Sequence, residues 1–210
     1  MRLDLVLRLL VRILIGLAAP AVIAMLLLPA AQARAQSAPL IVNISATTSG
    51  CGSNGHACDN AADHLPPGST FHLISPKTIT LDEGTYRLSY AGTMGRYRGW
   101  RINAEQWWVW NFGIAVNKGS GMGQLLYVAI ARGIYKSLDA VTASREPIVA
   151  GPGGPNSRLP VLIRSGGPTR YVDTLKLPKR EKLSFFILDY DVRDNAGGVS
   201  LKIERLADKH

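Results

Sequence analysis

Histidine and cysteine are scarce in this chain, and their scarcity narrows the chemistry that the protein can support. Among 210 residues there are two cysteines and four histidines. None of the histidines shares a recognisable spacing with a nucleophilic serine, and no cysteine nucleophile is expected once the thiols are oxidised. The glycine-rich residues 119–123 lack the lysine and the following helix of a phosphate loop, so we expect a hairpin there. An acid pair such as Asp139 and Glu146 leaves a hydrolase open, but the pattern favours a non-catalytic protein.

Long apolar runs are scarce too, and the longest lies at the N-terminus. Three arginines precede the apolar residues 13–28, and the small residues at 30–35 contain an Ala-x-Ala cleavage pattern. This order is typical of a secretory signal peptide. A spanning helix needs about 20 apolar residues, whereas this run is shorter and contains Pro20; an uncleaved anchor is the alternative. We expect a signal peptide at 1–35 and one mature domain at 36–210, periplasmic or secreted, without a transmembrane segment.

The two cysteines, Cys51 and Cys58, lie close together in the mature region, with six residues between them. Two nearby thiols close a disulfide in an oxidising compartment. His56 and His64 lie near them, so a metal site is the alternative, but the spacing matches no common zinc pattern. The sequence therefore predicts a disulfide between Cys51 and Cys58.

Acidic residues are outnumbered in the mature region. Removal of residues 1–35 takes four of the 24 basic residues and one of the 15 acidic residues, which leaves 20 against 14. A positive surplus favours association with anionic glycans or lipid headgroups through long-range attraction. Because an exported protein seldom meets nucleic acid, we expect a saccharide or envelope polymer as partner, and we leave a homo-oligomer open.

Helical periodicity is missing from the mature region, apart from a short candidate helix at 133–143. Alternation of apolar and polar residues is clear instead; Tyr86, Leu88 and Tyr90, for example, share one side of an extended chain. Such alternation is typical of half-buried antiparallel strands bounded by turn residues. We therefore predict an all-β fold, an antiparallel β-sandwich of the jelly-roll kind. The predicted strands are 40–46, 70–74, 85–91, 107–116, 124–131, 159–163, 171–177, 182–192 and 199–205.

Acidic and amide side chains gather near the C-terminus. Asp189 and Asp191 project from the same side of an extended chain, and Asp194 and Asn195 follow in a turn. Such hard oxygen ligands are those that calcium prefers. The alternative is an ordinary hairpin turn in which Arg193 compensates the charge.

This segment resembles the C-terminal signature of the calcium-dependent galactophilic lectins of bacteria. The resemblance lies in residues 185–204, which contain Asp-Tyr-Asp-Val-Arg-Asp-Asn-Ala-Gly-Gly, and in residues 82–92, Asp-Glu-Gly-Thr-Tyr-Arg-Leu-Ser-Tyr-Ala-Gly. It implies a galactose-binding-like β-sandwich in which a calcium ion chelates two sugar hydroxyls. Asp194 stands where these lectins carry an asparagine. The calcium ligands that the resemblance implies are Asp191, Asp194, Asn195 and the backbone carbonyl of Tyr97, with Asp189 as an alternate.

All four tryptophans lie between positions 100 and 110, among several arginines. Alternation assigns Trp108 and Trp110 to the core, whereas Trp107 points the other way and Trp100 lies in a loop-like context. An exposed indole offers a flat apolar platform to a sugar ring, and Arg98 would hold a carboxylate or phosphate. The alternative makes Trp107 a packing residue and the arginines a solvated face.

The sequence therefore predicts an exported, non-catalytic carbohydrate-binding protein that resembles a lectin and uses calcium. Its predicted sugar-binding residues are Trp100, Trp107 and Arg98. The alternative is an envelope structural or interaction protein, which binds a protein partner or an anionic surface polymer through the same aromatic and basic residues.

Overall fold

The structure, a computed structural model, describes residues 38–53, 56–57, 67–102, 107–152, 162–164, 166–189 and 191–207. These residues belong to one compact unit, Ala38–His210. The predicted signal peptide at 1–35 lies outside the described residues. The signal peptide and the domain boundary after it therefore stay predictions.

Most of the described chain is extended, and turn residues keep each strand short. In chain order the strands are β1 (Leu40–Ser45), β2 (Gly50–Ser53), β3 (His56–Ala57), β4 (Thr70–Ile74), β5 (Lys77–Leu81), β6 (Gly84–Tyr90), β7 (Arg98–Ile102), β8 (Trp107–Val109), β9 (Asn111–Gly119), β10 (Met122–Ala131), β11 (Ile148–Gly151), β12 (Leu162–Arg164), β13 (Val172–Leu177), β14 (Glu181–Phe186) and β15 (Ala196–Arg205).

Helical structure is limited to short pieces in the described ranges. Two 3-10 turns span Gly92–Met94 and Pro168–Arg170. The α-helix α1 (Leu138–Ala143) lies inside the predicted segment 133–143 and begins after Ser137, whose hydroxyl caps the helix by accepting a hydrogen bond from the Ala140 amide. Within the part of the chain that the structure describes, no helix combines the length and apolar character needed to cross a bilayer.

The first sheet has the strand order β13-β6-β15-β7-β8, and β1 pairs with β15. All of its pairs are antiparallel. β1 occupies one edge of β15, and β6 and β7 lie end to end along the other edge. This follows from the register, since Tyr90 of β6 is opposite Leu201 and Arg98 of β7 is opposite Val199. The chain between β6 and β7 therefore leaves the sheet and returns to it two positions further along β15.

The second sheet has the order β3-β2-β4-β10-β9-β14-β5, and β11 and β12 extend it from β10. β9 and β10 form a hairpin at Ser120 and Gly121, as expected for the glycine-rich residues 119–123. Gly119 and Gly121 have φ values of 80° and 73°, a left-handed conformation that glycine adopts without a steric cost.

The apolar core lies between the two sheets. Leu88 and Leu201 from the first sheet and Phe112 and Phe185 from the second are fully buried in one cluster. Each large side chain of this kind contributes about 1.5–3 kcal/mol by burial. This arrangement confirms the predicted all-β, sandwich-like fold.

Two predicted strands differ from the structure. The segment 107–116 is divided between β8 in the first sheet and β9 in the second, with the fully buried Trp110 at the crossing. The segment 182–192 ends as a strand at Phe186, because the following residues curl into the acidic turn. The prediction also missed five strands, namely β2, β3, β5, β7 and β11.

Candidate functional site

The first candidate site is the acidic turn, which we define as Asp189, Asp191, Arg193, Asp194 and Asn195. Asn195 is buried at its centre and is 6% exposed. Its amide nitrogen lies 2.8 Å from the Asp189 carboxylate, 3.3 Å from the Asp191 carbonyl oxygen and 3.4 Å from the Ala46 carbonyl oxygen. An amide donor therefore lies where these oxygens converge, and it ties the turn to the end of β1.

Asp191 is held by an arginine two residues away. The Nε atom and one terminal nitrogen of Arg193 each lie 2.9 Å from a different carboxylate oxygen of Asp191. These hydrogen bonds from Arg193 are the main reason that the pKa of Asp191 lies below its ordinary value. Asp194 is exposed at the surface. The charge of Asp191 is thus compensated by the neighbouring guanidinium.

The predicted calcium ligands are only partly brought together. Asp189, Asp191 and Asn195 are neighbours, but the carboxylates of Asp191 and Asp189 already accept hydrogen bonds from Arg193 and the Asn195 amide. Tyr97 lies on the outer face of the first sheet, where its amide donates to the Ser200 hydroxyl at 2.8 Å. Among the described residues, no three His, Cys, Asp or Glu side chains cluster as metal ligands. Calcium binding therefore stays a prediction.

The two predicted sugar-binding tryptophans have opposite environments. Trp107 lies in β8 and is 42% exposed. Trp100 lies in β7 and is 1% exposed. The expectation that Trp100 is a loop residue with an exposed indole is therefore wrong, because the strand register turns its side chain into the core. Trp107 alone of the two can offer its ring to a ligand.

The side chains beside Trp107 on one side of the ribbon formed by β7 and β8 differ in exposure, since Ile102 is partly buried against the core and Lys136 is exposed. Ile102 pairs directly with Trp107. An antiparallel bridge between Trp108 and Tyr135 places the next residue, Lys136, on the far side of Trp107. Arg98 and Trp100 both alternate onto the same side of β7 as Ile102, but Trp100, which lies between them, is buried in the core, whereas Arg98 is exposed. We call Arg98, Ile102, Trp107 and Lys136 the β7–β8 face.

Two buried donors lie in the same row as Arg98. Tyr90, Arg98 and Trp100 are opposite Leu201, Val199 and Gly197 of β15. These are successive positions on one side of a strand, roughly 7 Å apart. The Tyr90 hydroxyl and the Trp100 Nε1 atom are both enclosed, and neither has a hydrogen-bond partner.

The Tyr90 phenol keeps its proton at neutral pH. Burial raises the pKa of Tyr90 above 10.0, and the positive charge of Arg98 opposes this rise without cancelling it. Tyr90 and Arg98 are opposite successive same-side residues of β15, Leu201 and Val199. Arg98 itself is exposed and, within the described ranges, forms no ion pair.

A third polar group, missed by the sequence interpretation, crosses the core. The Tyr127 hydroxyl of β10 donates to the Asp173 carboxylate of β13 at 2.6 Å and lies 2.6 Å from the Tyr171 hydroxyl. All three residues are buried. Burial is the main reason that the pKa of Tyr127 is raised. The signal for this network was Asp173, which lies on the same side of β13 as Leu175 and Leu177 and so carries a carboxylate into an apolar row.

The predicted disulfide falls partly outside the described residues. Cys51 is fully buried in β2, within a second apolar cluster that contains Leu73 and Leu188. Its amide donates to the Asp189 carbonyl oxygen at 2.8 Å, which joins β2 to the acidic turn. Cys58 and His64 are not among the described residues. The disulfide therefore stays a prediction.

Comparison with known proteins adds no relative to this description. No family model matches the chain, and no curated protein or solved structure matches it. The resemblance to the galactophilic lectins therefore stays a prediction, and any function rests on the residues themselves.

Proposed function

We propose that this protein is an exported, non-catalytic carbohydrate-binding protein, whose contact surface is the β7–β8 face. The observation that carries the proposal is the 42% exposure of Trp107 on the edge strand β8. A large indole left in water loses the stabilisation that its burial would give. A ligand with an apolar ring face recovers that stabilisation.

The neighbours of Trp107 suit a saccharide. Ile102, which is partly buried against the core, adjoins the indole on one side, and Lys136 offers three N–H donors on the other. Sugars present both apolar C–H faces and hydroxyl oxygens, so a ring next to donors matches both. The β7–β8 ribbon is fixed to the sandwich through the buried Trp100 and Val109, which are opposite each other in register. A rigid platform reduces the entropy lost on binding.

Calcium binding is separate from the proposed sugar site, because the acidic turn and the β7–β8 face involve different side chains. Sugar binding at Trp107 does not need a cation in the acidic turn. We expect a chelator to leave sugar binding at Trp107 unchanged. If sugar bound through calcium, as in the lectins, a chelator would abolish binding.

The test is isothermal titration calorimetry against a panel of galactosides, uronate oligosaccharides and sulfated oligosaccharides, with and without chelator. Trp107→Ala should weaken binding about tenfold, which corresponds to about 1.4 kcal/mol. Trp107→Phe keeps an aromatic ring and should retain most of the affinity.

Met94→Ala is the matched control, since Met94 is 56% exposed and lies in a different loop. The proposal fails if no saccharide binds, or if W107A and M94A bind equally well. Retention of the protein on envelope extracts through Trp107, without competition by any saccharide, would instead support the interaction-protein alternative.

A further inference from the structure

We propose that the outer face of the first sheet, together with the loop that crosses it, binds the surface of an anionic lipid bilayer. The side chains that make the contact are Arg87, Met94, Arg96 and Val172, which we call the outer patch. None of them belongs to the β7–β8 face, so bilayer binding and sugar binding at Trp107 are independent of each other.

The loop between β6 and β7 is fixed to the outer face of β15. The Tyr97 amide donates to the Ser200 hydroxyl at 2.8 Å, and the Arg96 amide donates to the Asn43 side-chain oxygen at 2.9 Å. Gly95 lies directly on Ser200, since a Cβ atom at Gly95 would overlap with the Ser200 side chain. The Arg96 guanidinium lies 5.3 Å from the centre of the Tyr97 ring. The loop is therefore a ridge that rises above the sheet.

Two large apolar side chains are exposed beside this ridge. Met94, in the 3-10 turn that follows β6, is 56% exposed. Val172, the first residue of β13, is 49% exposed and is opposite Ser89 near the end of β6. The Tyr90 amide donates to the Tyr171 carbonyl oxygen, so both apolar side chains lie at the same end of the sheet. Contact with the apolar part of a bilayer interface would stabilise side chains of this kind.

The two chain segments that meet at this end carry positive charges alone. Residues 84–104 contain four arginines and no acidic residue, and residues 147–172 contain three arginines and no acidic residue. Basic residues near the surface of an anionic membrane are attracted to it over about one Debye length. The charge of this end therefore suits a negative surface.

Acidic residues are scarce on the outer face as well. Within the described strands β1, β6, β13 and β15, Glu204 is the one acidic residue on that face, and its carboxylate lies 3.0 Å from the Lys202 amine. Arg87 and Arg96 are exposed and form no ion pair with a described residue. Both guanidinium groups are therefore available to lipid phosphates, whose oxygens accept paired hydrogen bonds from arginine.

The mixture of apolar and basic side chains favours a bilayer over a soluble anionic polymer. Val172 and Arg87 are diagonal neighbours, since Val172 is opposite Ser89 and Arg87 is opposite Thr174. A polymer in water can neutralise the arginines, but it offers no apolar phase to Met94 and Val172. A bilayer interface offers phosphates and an apolar region next to each other.

The experiment is vesicle flotation with protein purified from the compartment to which cells deliver it. One set of vesicles is phosphatidylcholine alone, and the other also contains phosphatidylglycerol. We expect the partition coefficient at low salt to be at least about tenfold higher for the anionic vesicles, and the difference to shrink as salt screens the charges. Equal partition onto the two sets, or no partition onto either, would overturn the proposal.

Arginine variants separate the outer patch from net charge. Arg96→Gln should lower the partition coefficient about fivefold, and Arg96→Lys should restore most of it, because lysine keeps the charge. The control is Lys118→Gln, since Lys118 is exposed but lies in β9 of the second sheet. Equal losses in R96Q and K118Q would show that binding follows net charge alone, and the outer patch would not be the contact.

Met94→Ser separates a bilayer from a polymer. It should weaken binding to anionic vesicles several-fold and leave binding of soluble polyphosphate unchanged, because polyphosphate has no apolar phase. The melting temperature should stay equal, since the loop is held through backbone amides. If M94S binds vesicles as tightly as the wild type does, the partner is an anionic polymer and the bilayer is excluded.

Discussion

The acidic turn and the β7–β8 face differ in how far the fold satisfies their polar groups. In the acidic turn, Arg193 holds Asp191 and the Asn195 amide binds Asp189. In the row beside the β7–β8 face, Tyr90 and Trp100 keep enclosed donors without acceptors. Polar side chains that bind one another stabilise a fold, whereas enclosed donors without acceptors destabilise it. The polar groups of the acidic turn therefore serve the fold, and the proposed binding site depends on the exposed Trp107.

The largest loss of stability should follow from a substitution in the acidic turn. Asn195→Ala removes the buried amide that binds Asp189 and the Ala46 carbonyl oxygen, and with it the hydrogen bonds that tie the turn to the end of β1. We expect the free energy of unfolding to fall by about 2–3 kcal/mol. Chemical denaturation measures this change, and calorimetry should show unchanged saccharide affinity.

Asp194→Ala is the control for Asn195→Ala. Asp194 is the exposed neighbour of Asn195, so its loss should change stability by no more than about 0.5 kcal/mol. Equal stability of N195A and the wild type would show that the turn is not held by the amide, and would reopen it to a cation.

The fold was predictable where alternation was regular. The residues of β4 matched the predicted segment 70–74, and β15 was found because Val199, Leu201 and Ile203 alternate with polar residues. β7 was missed because its sequence, Arg-Gly-Trp-Arg-Ile, shows no alternation of polar and apolar residues. It is a strand because its backbone pairs with both β8 and β15, and pairing partners distant in sequence leave no local signal.

The site was predictable only in part, for a related reason. Trp107 and Arg98 were identified from residue type, and both are exposed. The sequence placed Tyr90 on the apolar side of a predicted strand, and that position does not reveal that its hydroxyl lacks a partner. The proximity of Tyr90 to Arg98 depends on both strands lying along one edge of β15, which no local pattern indicates.

A smaller loss of stability should distinguish a buried hydroxyl that has hydrogen-bond partners from one that has none. Tyr127→Phe removes the hydroxyl that joins Asp173 to Tyr171 across the core, and should lower the free energy of unfolding by about 1–3 kcal/mol. Tyr90→Phe should leave it equal or raise it. Both substitutions remove a single oxygen, so denaturation curves compare them directly. A loss of stability in Y90F as large as that in Y127F would mean that the Tyr90 hydroxyl does have a stabilising partner.

The smallest effect concerns the pH dependence of the acidic turn. Arg193→Gln removes the hydrogen bonds that hold the pKa of Asp191 below 3.8. Because that pKa is lower in the folded than in the unfolded protein, the pair stabilises the fold above this value, and its contribution is lost as the pH falls through the folded pKa.

The melting temperature of Arg193→Gln should therefore lie slightly below that of the wild type at neutral pH, and the two should converge in acid. Both carboxyl and guanidinium groups are near the surface, so screening by salt should also reduce the difference. Arg87→Gln is the control, since it should show no such convergence. If the difference in melting temperature between R193Q and wild type persists after Asp191 is protonated, Arg193 stabilises the turn through its packing. The negative charge of Asp191 would then be compensated by a group other than Arg193.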